Sequence, residues 1–252
     1  MNKVVAITNQ KGGVGKTTTA VNLGAALAEM GGKVLLVDID PQGNTTSGTG
    51  LSKKDIEFCI YDVLINERDI KKTIIRTGWK NLYAVPATIQ LAGAEIELVS
   101  MVSREAKLKR AMQEVKEDYD YIFIDCPPSL GLLTINSLNA ADGVIIPIQC
   151  EYYALEGLGQ LMNTIALVRK HLNNALRIEG VLLTMYDSRT NLSEQVAEEV
   201  RNYFKHYVYK TVIPRNVRLS EAPSYGKNIF DYDPKSKGAV LYRELAREVK
   251  ER

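Results

Sequence analysis

Short apolar runs rich in β-branched residues alternate with longer stretches of helical periodicity along the chain. Val4 to Ile7, Val34 to Val37, Tyr121 to Ile124, Val144 to Ile148 and Ile178 to Leu183 are almost continuously apolar. A strand with one face in water would alternate apolar and polar positions, so these five read as parallel strands covered on both sides. Between them, Thr17 to Met30, Arg104 to Glu117, Leu155 to Leu172, Leu192 to Phe204 and Ala239 to Lys250 read as helices. Such alternation implies right-handed crossovers and an α/β fold: a single doubly wound, mostly parallel twisted sheet flanked by helices. No Pro/Gly/Ser-rich linker, charge block or repeat divides the sequence, so residues 1–252 are expected to form one domain. The least regular stretches are Gly43 to Ser52 and Tyr225 to Gly238. In open sheets of this kind ligands bind beyond the carboxyl ends of the strands, which directs attention to the loops that follow them.

Composition narrows this picture only a little. With 45% hydrophobic and 25% charged residues the chain has the balance of an ordinary globular protein. Its formal charge of +2, from 32 basic and 30 acidic residues, neither requires nor excludes nucleic acid, so any such interaction must rest on local patches. Cys59, Cys126 and Cys150 are scattered and form no C-x-x-C pair, which suits buried thiols in a reducing cytoplasm. The other reading, an iron–sulfur ligand set, lacks an evident spacing. Met1-Asn2-Lys3 runs straight into the first strand, leaving no room for a signal peptide, and the apolar runs are too short to span a bilayer. A cytoplasmic protein is expected.

The richest chemistry follows the first strand, in Thr8-Asn9-Gln10-Lys11-Gly12-Gly13-Val14-Gly15-Lys16-Thr17-Thr18-Thr19. Glycines let a backbone wrap phosphate oxygens with its N–H groups turned inward, and the following helix adds its positive end. Lys16 is placed to reach β- and γ-phosphates and the Thr17 hydroxyl to ligate Mg²⁺. The common pattern G-x-x-x-x-G-K-[ST] needs a glycine where Gln10 stands; here there is instead a second lysine, Lys11. A ligand-free glycine turn capping a helix would not require Gly-Lys-Thr in this strand-to-helix setting.

The second strand ends Asp38-Ile39-Asp40-Pro41. Residues i and i+2 of a strand point the same way, so both carboxylates can address one site. Asp38 has a structural reading too, as an acceptor for the phosphate loop, and Asp40 one as a turn-forming Asp-Pro. Tyr121 to Ile124 delivers Asp125, an acid after an apolar strand, suited to hold Mg²⁺ through water.

Lys11-Gly12-Gly13-Val14-Gly15-Lys16-Thr17 resembles the deviant Walker A loop of the ParA/MinD superfamily. That resemblance implies binding of ATP and Mg²⁺ by residues 11–18 (Lys11, Gly12, Gly13, Val14, Gly15, Lys16, Thr17 and Thr18) and a two-fold sandwich homodimer. In it Lys11 would cross to the partner's phosphates rather than remain a solvated loop lysine. A cation supplied in trans compensates phosphate charge only after association, so ATP would hold the dimer together. The resemblance further gives Asp40 the attacking water, the loops after Asp40 and after Asp125 the γ-phosphate switches, and Pro214 and Asn216 the adenine; an amide can both donate to and accept from a base edge.

Leu91-Ala92-Gly93-Ala94-Glu95, Gln149 to Gly157 and Pro214 to Pro223 are similar to short chromosomal ParA proteins of the Soj type. The phosphate loop begins almost at once, without the helix-turn-helix extension of longer plasmid relatives, so operator-specific repression is not implied. What is implied is a partition ATPase: non-specific double-stranded DNA binding by the ATP dimer, nucleoid association, and slow hydrolysis stimulated by a ParB-type centromere-binding partner. Arg189 and Arg218 match positions implicated in DNA contact, and Lys227 is a basic neighbour; ordinary solvated charge is the plainer reading. A MinD-like membrane-associated ATPase is the alternative, through the tail Gly238 to Arg252 with Val240, Leu241, Leu245 and Val249 roughly on one face. That tail lacks the Phe/Trp and cationic enrichment of an interfacial anchor, so no membrane is expected. The 13 tyrosines are dispersed, which argues against a tyrosine kinase of the same loop type.

Overall fold

The computed structural model describes residues 2–151 and 157–252. In chain order its elements are β1 (Lys3–Ile7), α1 (Lys16–Glu29), β2 (Val34–Asp38), α2 (Asn44–Gly48), α3 (Ile60–Leu64), β3 (Ile75–Arg76), β4 (Leu82–Val85) and α4 (Leu91–Val99). There follow α5 (Lys107–Val115), β5 (Tyr121–Asp125), α6 (Leu132–Ala140), β6 (Gly143–Gln149), α7 (Leu158–His171) and β7 (Arg177–Thr184). The chain ends with α8 (Asn191–Phe204), α9 (Val217–Glu221), α10 (Ile229–Tyr232) and α11 (Lys237–Glu251). All seven strands form one sheet in the order β3-β4-β2-β5-β1-β6-β7. Every pairing is parallel except the edge pair β3–β4.

Continuous apolarity has the expected cause. Successive residues of a strand face opposite sides. In β1, Val4 and Ala6 pack into one core layer and Val5 and Ile7 into the other; β2 divides Leu35 and Val37 from Val34 and Leu36 in the same way. One layer lies beneath α3 to α8; the other is closed by α1 and α11, with the short α10.

All five expected strands are present, with ends within one residue of the expectation or slightly extended. The helix expected over Arg104 to Glu117 is α5 flanked by 3₁₀ turns at Arg104–Ala106 and Lys116–Asp118. The start of the helix expected from Leu155, and Tyr152 to Glu156 of the family-like segment, lie outside the described residues. Gly43 to Ser52 and Tyr225 to Gly238, expected to be irregular, contain the short helices α2 and α10. The tail helix is present, and Leu241, Leu245 and Val249 of its expected apolar face pack on the core together with Ala239, Tyr242 and Ala246, whereas Val240 is about half exposed.

Candidate functional site

Because the strands from β4 to β7 run parallel, the loops after β1, β2, β5, β6 and β7 share one edge of the sheet. The phosphate loop occupies its centre. Gly13 and Gly15 have φ of +75° and +87°, a conformation that carries a steric cost for residues with a Cβ. A Cβ on Gly12 or Gly13 would meet nothing within 4 Å, so the space above the loop is open to a ligand. Val14 is buried, and its carbonyl accepts a 2.9 Å hydrogen bond from Thr184 Oγ1, tying the loop to β7. Asn9 fixes the loop's base by donating to Pro147 O and accepting from the Lys11 N–H. Helix α1 then begins at Gly15 with no side-chain cap, which leaves its first-turn N–H groups available to an anion.

The two lysines of the loop lie in opposite settings. Lys16 is buried, and its ammonium folds back to donate to Lys11 O at 3.2 Å. Burial lowers its pKa, an effect opposed by the charges of Asp125, Cys126 and Asp40. Lys11 is only half-buried and borders a broad groove with Gln10, Pro128, Ser129, Leu130 and Gln160.

Acidic groups gather beside Lys16. Asp38 and Asp125 are cross-strand neighbours at the ends of β2 and β5, and both are buried. Burial raises both carboxyls, with Asp125's charge adding to the rise at Asp38; they reach about 7 for Asp38 and about 6 for Asp125. Asp125 Oδ2 accepts from Thr17 Oγ1 at 2.7 Å and Thr45 Oγ1 at 2.8 Å. Its Oδ1 is buried and has no partner among the described residues. A buried carboxylate oxygen left unsatisfied is costly, and a water-bridged cation beside the Thr17 hydroxyl would both satisfy it and neutralise the pair. The residues present therefore fit Mg²⁺.

Asp38 departs from its expected structural role. It does not bond the phosphate loop; it accepts from the Thr46 N–H and hydroxyl and from the Asp40 N–H, holding the segment after β2. Asp40 uses Oδ1 to accept the Gln42 N–H and its carbonyl to accept the Gly43 N–H, as a turn residue does. Its charge still acts on both Lys16 and Asp125. The turn-forming role thus coexists with a position at the site.

A second cleft opens beside the start of α1, lined by Thr18, Met185, Pro214, Asn216, Leu219 and Tyr242. Its wall is held by a parallel bridge between Tyr186 and Pro214, next to Met185 at φ +50°. Asn216 differs from expectation in one respect. Its Oδ1 already accepts the Arg218 N–H as the cap of α9, which leaves the amide donor to face a base.

Each candidate DNA cation is paired with an acid of its own chain. Arg189 lies on the loop after β7 with its side chain 87% exposed, gripped by Asp187 through Nε at 2.9 Å and Nη2 at 2.7 Å. Arg218 pairs with Glu221 at 3.0 Å and Asp233 at 3.6 Å, and Lys227 with Asp231 at 3.9 Å. The loop carrying Lys227 does meet the segment after Asp40. Gly50 and Gly226, at φ +82° and +63°, touch backbone to backbone, so a Cβ on Gly226 would lie 3.0 Å from Gly50 Cα.

Three site residues escaped the sequence reading. Thr45 bonds Asp125, Thr46 bonds Asp38, and Thr184 holds the phosphate loop. Asn44-Thr45-Thr46, polar residues just after Asp40, offered a signal; Thr184, at the end of an apolar strand, offered none. The three cysteines are buried and free. Burial pushes Cys126 up to about 12 and Cys150 up to about 11, so neither presents a thiolate.

A glycine-rich loop between a parallel strand and a helix, a buried lysine and a threonine–aspartate pair define a P-loop ATPase of the ParA/MinD type. The family model described as "AAA domain" matches residues 2–178. The sporulation initiation inhibitor protein Soj of Bacillus subtilis is 68% identical over 249 residues, spanning 99% of this chain and 98% of that protein. The chromosome partitioning protein ParA of Myxococcus xanthus is 56% identical over 252 residues, spanning 100% of this chain and 89% of that protein. Among solved structures, cobyrinic acid a,c-diamide synthase from Mycobacterium smegmatis with bound ADP and magnesium matches with a TM-score of 0.86 at 42% identity, covering 98% of this chain and 93% of that one. The chain belongs to the ParA/Soj family of chromosome-partitioning ATPases.

Proposed function

We propose that this chain is a partition ATPase that binds ATP and Mg²⁺, closes into a sandwich dimer, binds DNA without sequence preference and releases it after hydrolysis. The observation that carries this reading is the contrast between the two loop lysines. Lys16 is buried against its own loop, ready to serve phosphates bound in cis, while Lys11 borders an open groove beside the segment after Asp125. A lysine so placed serves a second protomer's phosphates better than its own.

Within each protomer, backbone N–H groups of residues 12–17 and the free end of α1 take the phosphates. Lys16 offsets their charge, and Thr17 with Asp125 would hold Mg²⁺, which when bound neutralises phosphate charge. Pro214 and Asn216 line the cleft that takes the base. Asp40 orients the attacking water. Hydrolysis by one protomer is slow because a single loop compensates the phosphates incompletely; Lys11 from the other copy and a ParB-type partner supply the rest. DNA binding falls to Arg189, Arg218 and Lys227, whose modest attraction is doubled by dimerisation.

The membrane-associated alternative is less well supported, since the apolar face of α11 is already packed in the core. No helix among the described residues is long and apolar enough to cross a membrane. The test is an Asp40→Ala variant given ATP: it is expected to persist as a DNA-bound dimer, and a variant that stays monomeric with ATP would refute the mechanism. Co-sedimentation with liposomes in ATP separates the membrane reading.

A further inference from the structure

The turn after α3 and the facing side of α5 border a cleft of about 200 Å³ that the nucleotide chemistry does not use. None of its lining residues borders the phosphate loop or the base cleft. Its apolar lining is Val63 and Ala111, both buried. Its polar rim brings together Glu67, Arg68, Lys107, Arg110 and Glu114. Residues 104–116 carry five cations against two acids, so α5 and its flanks hold more positive charge than their own carboxylates neutralise.

Arg68 is the distinctive member of this rim. Asn66 and Arg68 both donate their N–H to Asp62 O, and Glu67 between them takes φ +51°, a left-handed turn without glycine. The Arg68 guanidinium lies on the Phe58 ring, its central carbon 3.3 Å from the ring centroid. Stacking of this kind occupies the flat face of a guanidinium and leaves its N–H donors in the plane. Arg68 Nε is buried, and it is the one buried cationic atom without an acceptor among the described residues. A buried donor without a partner is costly, so the arrangement favours an acceptor in the guanidinium plane. The neighbouring charges limit what that acceptor can be. Glu67 is engaged with Lys107, whose ammonium it meets at 2.6 Å and whose side chain is only 9% exposed. Arg110 and Glu114 are exposed and lie one helical turn apart. Arg68 and Arg110 against Glu114 leave one positive charge unmatched. A single negative charge completes the cleft, whereas a phosphate dianion brings one too many beside two glutamates. A carboxylate carries one charge and two coplanar oxygens, which match a guanidinium edge as a bidentate pair.

We propose that this cleft binds a small aliphatic carboxylate, held by Arg68 and Arg110 with its hydrocarbon body against Val63 and Ala111. Glu114 restricts the site to ligands of low charge. The occupant ties the turn after α3 to α5, the helix whose Leu108 N–H is accepted by Asn136 of α6. The proposal does not depend on the partition cycle, because no residue of the cleft takes part in it.

The test uses the full chain with ADP and Mg²⁺ in excess, which keeps the probes off the phosphate loop. The probe is butyrate. Butyramide serves as the same body without charge, and inorganic phosphate as charge without the body, all at constant ionic strength. Binding is read from the Nε–H resonance of Arg68 in a proton–nitrogen correlation spectrum and by titration calorimetry. In the wild type butyrate is expected to move that resonance saturably, butyramide to leave it in place, and phosphate to bind more weakly than butyrate. Arg110→Gln, a change at an exposed position, is expected to weaken butyrate binding at least about tenfold, the worth of one charge-assisted hydrogen bond. Glu114→Gln is expected to strengthen it, since a like charge is removed from beside the ligand. Arg68→Gln is expected to abolish binding seen by calorimetry; should that variant fail to fold, the Arg110 and Glu114 variants still decide. An Arg68 resonance that does not respond to butyrate in the wild type would overturn the proposal, as would unchanged affinity in Arg110→Gln. An equal response to butyramide would overturn it by showing that charge plays no part, and tighter binding of phosphate would overturn the choice of a carboxylate.

Discussion

The phosphate end and the cationic loops handle charge in opposite ways. Around Asp125 the charged groups are buried, mutually close and incompletely satisfied, with carboxyls raised by desolvation and a lysine lowered by it. At Arg189, Arg218 and Lys227 each cation is exposed and already has an acidic neighbour in its own chain. A buried, unsatisfied site has much to gain from a ligand that completes it, whereas an exposed, self-paired cation gains little from one more anion. The first arrangement suits a tight, specific ligand; the second suits weak contacts that matter only when several act together. On the proposed function, such a near-neutral chain would hold DNA only where several of these contacts act together.

The sharpest way to break this contrast is at its buried end. Lys16→Ala removes the ammonium placed for the phosphates. Losing one such preorganised donor typically costs about 3–4 kcal/mol, so nucleotide binding or turnover is expected to fall roughly 10²–10³-fold, as read by titration with a fluorescent nucleotide and by phosphate release.

The junction between the two regions should give the next largest effect. Gly226→Ala forces a Cβ against Gly50 at a positive φ, which costs on the order of 1–2 kcal/mol at the backbone alone. ATP binding is expected to survive while ATP-dependent DNA retention weakens, as measured by nucleotide titration beside DNA co-sedimentation. Equal loss of both would show the contact to be merely structural.

A smaller effect is expected in stability against pH. Asp125 is raised to about 6 in the fold, so between its ordinary value and 6 the native state binds more protons than the unfolded chain. Stability contributed at this position therefore falls as pH rises through that window and levels off above it. Asp125→Asn removes the buried charge; its carbonyl can still accept from Thr17 and Thr45, while the amide takes the place of the unpartnered oxygen. At pH 7.5 without nucleotide the variant is expected to melt higher by on the order of 1 kcal/mol, about 2–4 °C for a chain of this size. It is expected to lack the Mg²⁺-dependent gain in melting temperature that the wild type is expected to show with ATP, as followed by thermal denaturation.

The smallest effect concerns the exposed end. Asp187→Ala frees Arg189, and DNA binding in ATP is expected to rise a few-fold at low salt and to converge with wild type as salt screens the contact. No change would remove Arg189 from the DNA face.

The central strands and the phosphate loop were readable because their constraints are local: burial on both faces demands continuous apolarity, and wrapping a phosphate demands glycines. Helix α6 was not, because Thr134, Asn136, Ser137 and Asn139 are buried there, breaking any apolar stripe. Each is held by bonds that no periodicity reveals, such as Asn136 accepting the Leu108 N–H and Asn139 donating to Glu105 O. Helix α4 is hard to read for another reason, since exposed Ile96 and Val99 add apolar positions to those of buried Leu91, Ala94 and Leu98 and blur its period. In the tail, Leu241, Leu245 and Val249 mark the buried face, but Ala239, Tyr242 and Ala246 beside them, being small or polar-tipped, do not stand out in the pattern, and Val240 is exposed. In the site, Asp40 and Asp125 could be picked out as strand-end acids. The bonding of Asp38 to Thr46 could not, because it depends on how the chain turns after β2.

The most direct test is sedimentation of the wild type and a Lys11→Ala variant with ADP, ATP and a slowly hydrolysed ATP analogue, with DNA binding followed in the same samples. The wild type is expected to be monomeric and off DNA with ADP, and dimeric and DNA-bound with ATP or the analogue. Lys11→Ala is expected to bind ATP yet remain monomeric and off DNA. A Lys11→Ala protein that dimerises like the wild type, or a wild type that binds DNA equally with ADP and ATP, would contradict the role given to the second lysine.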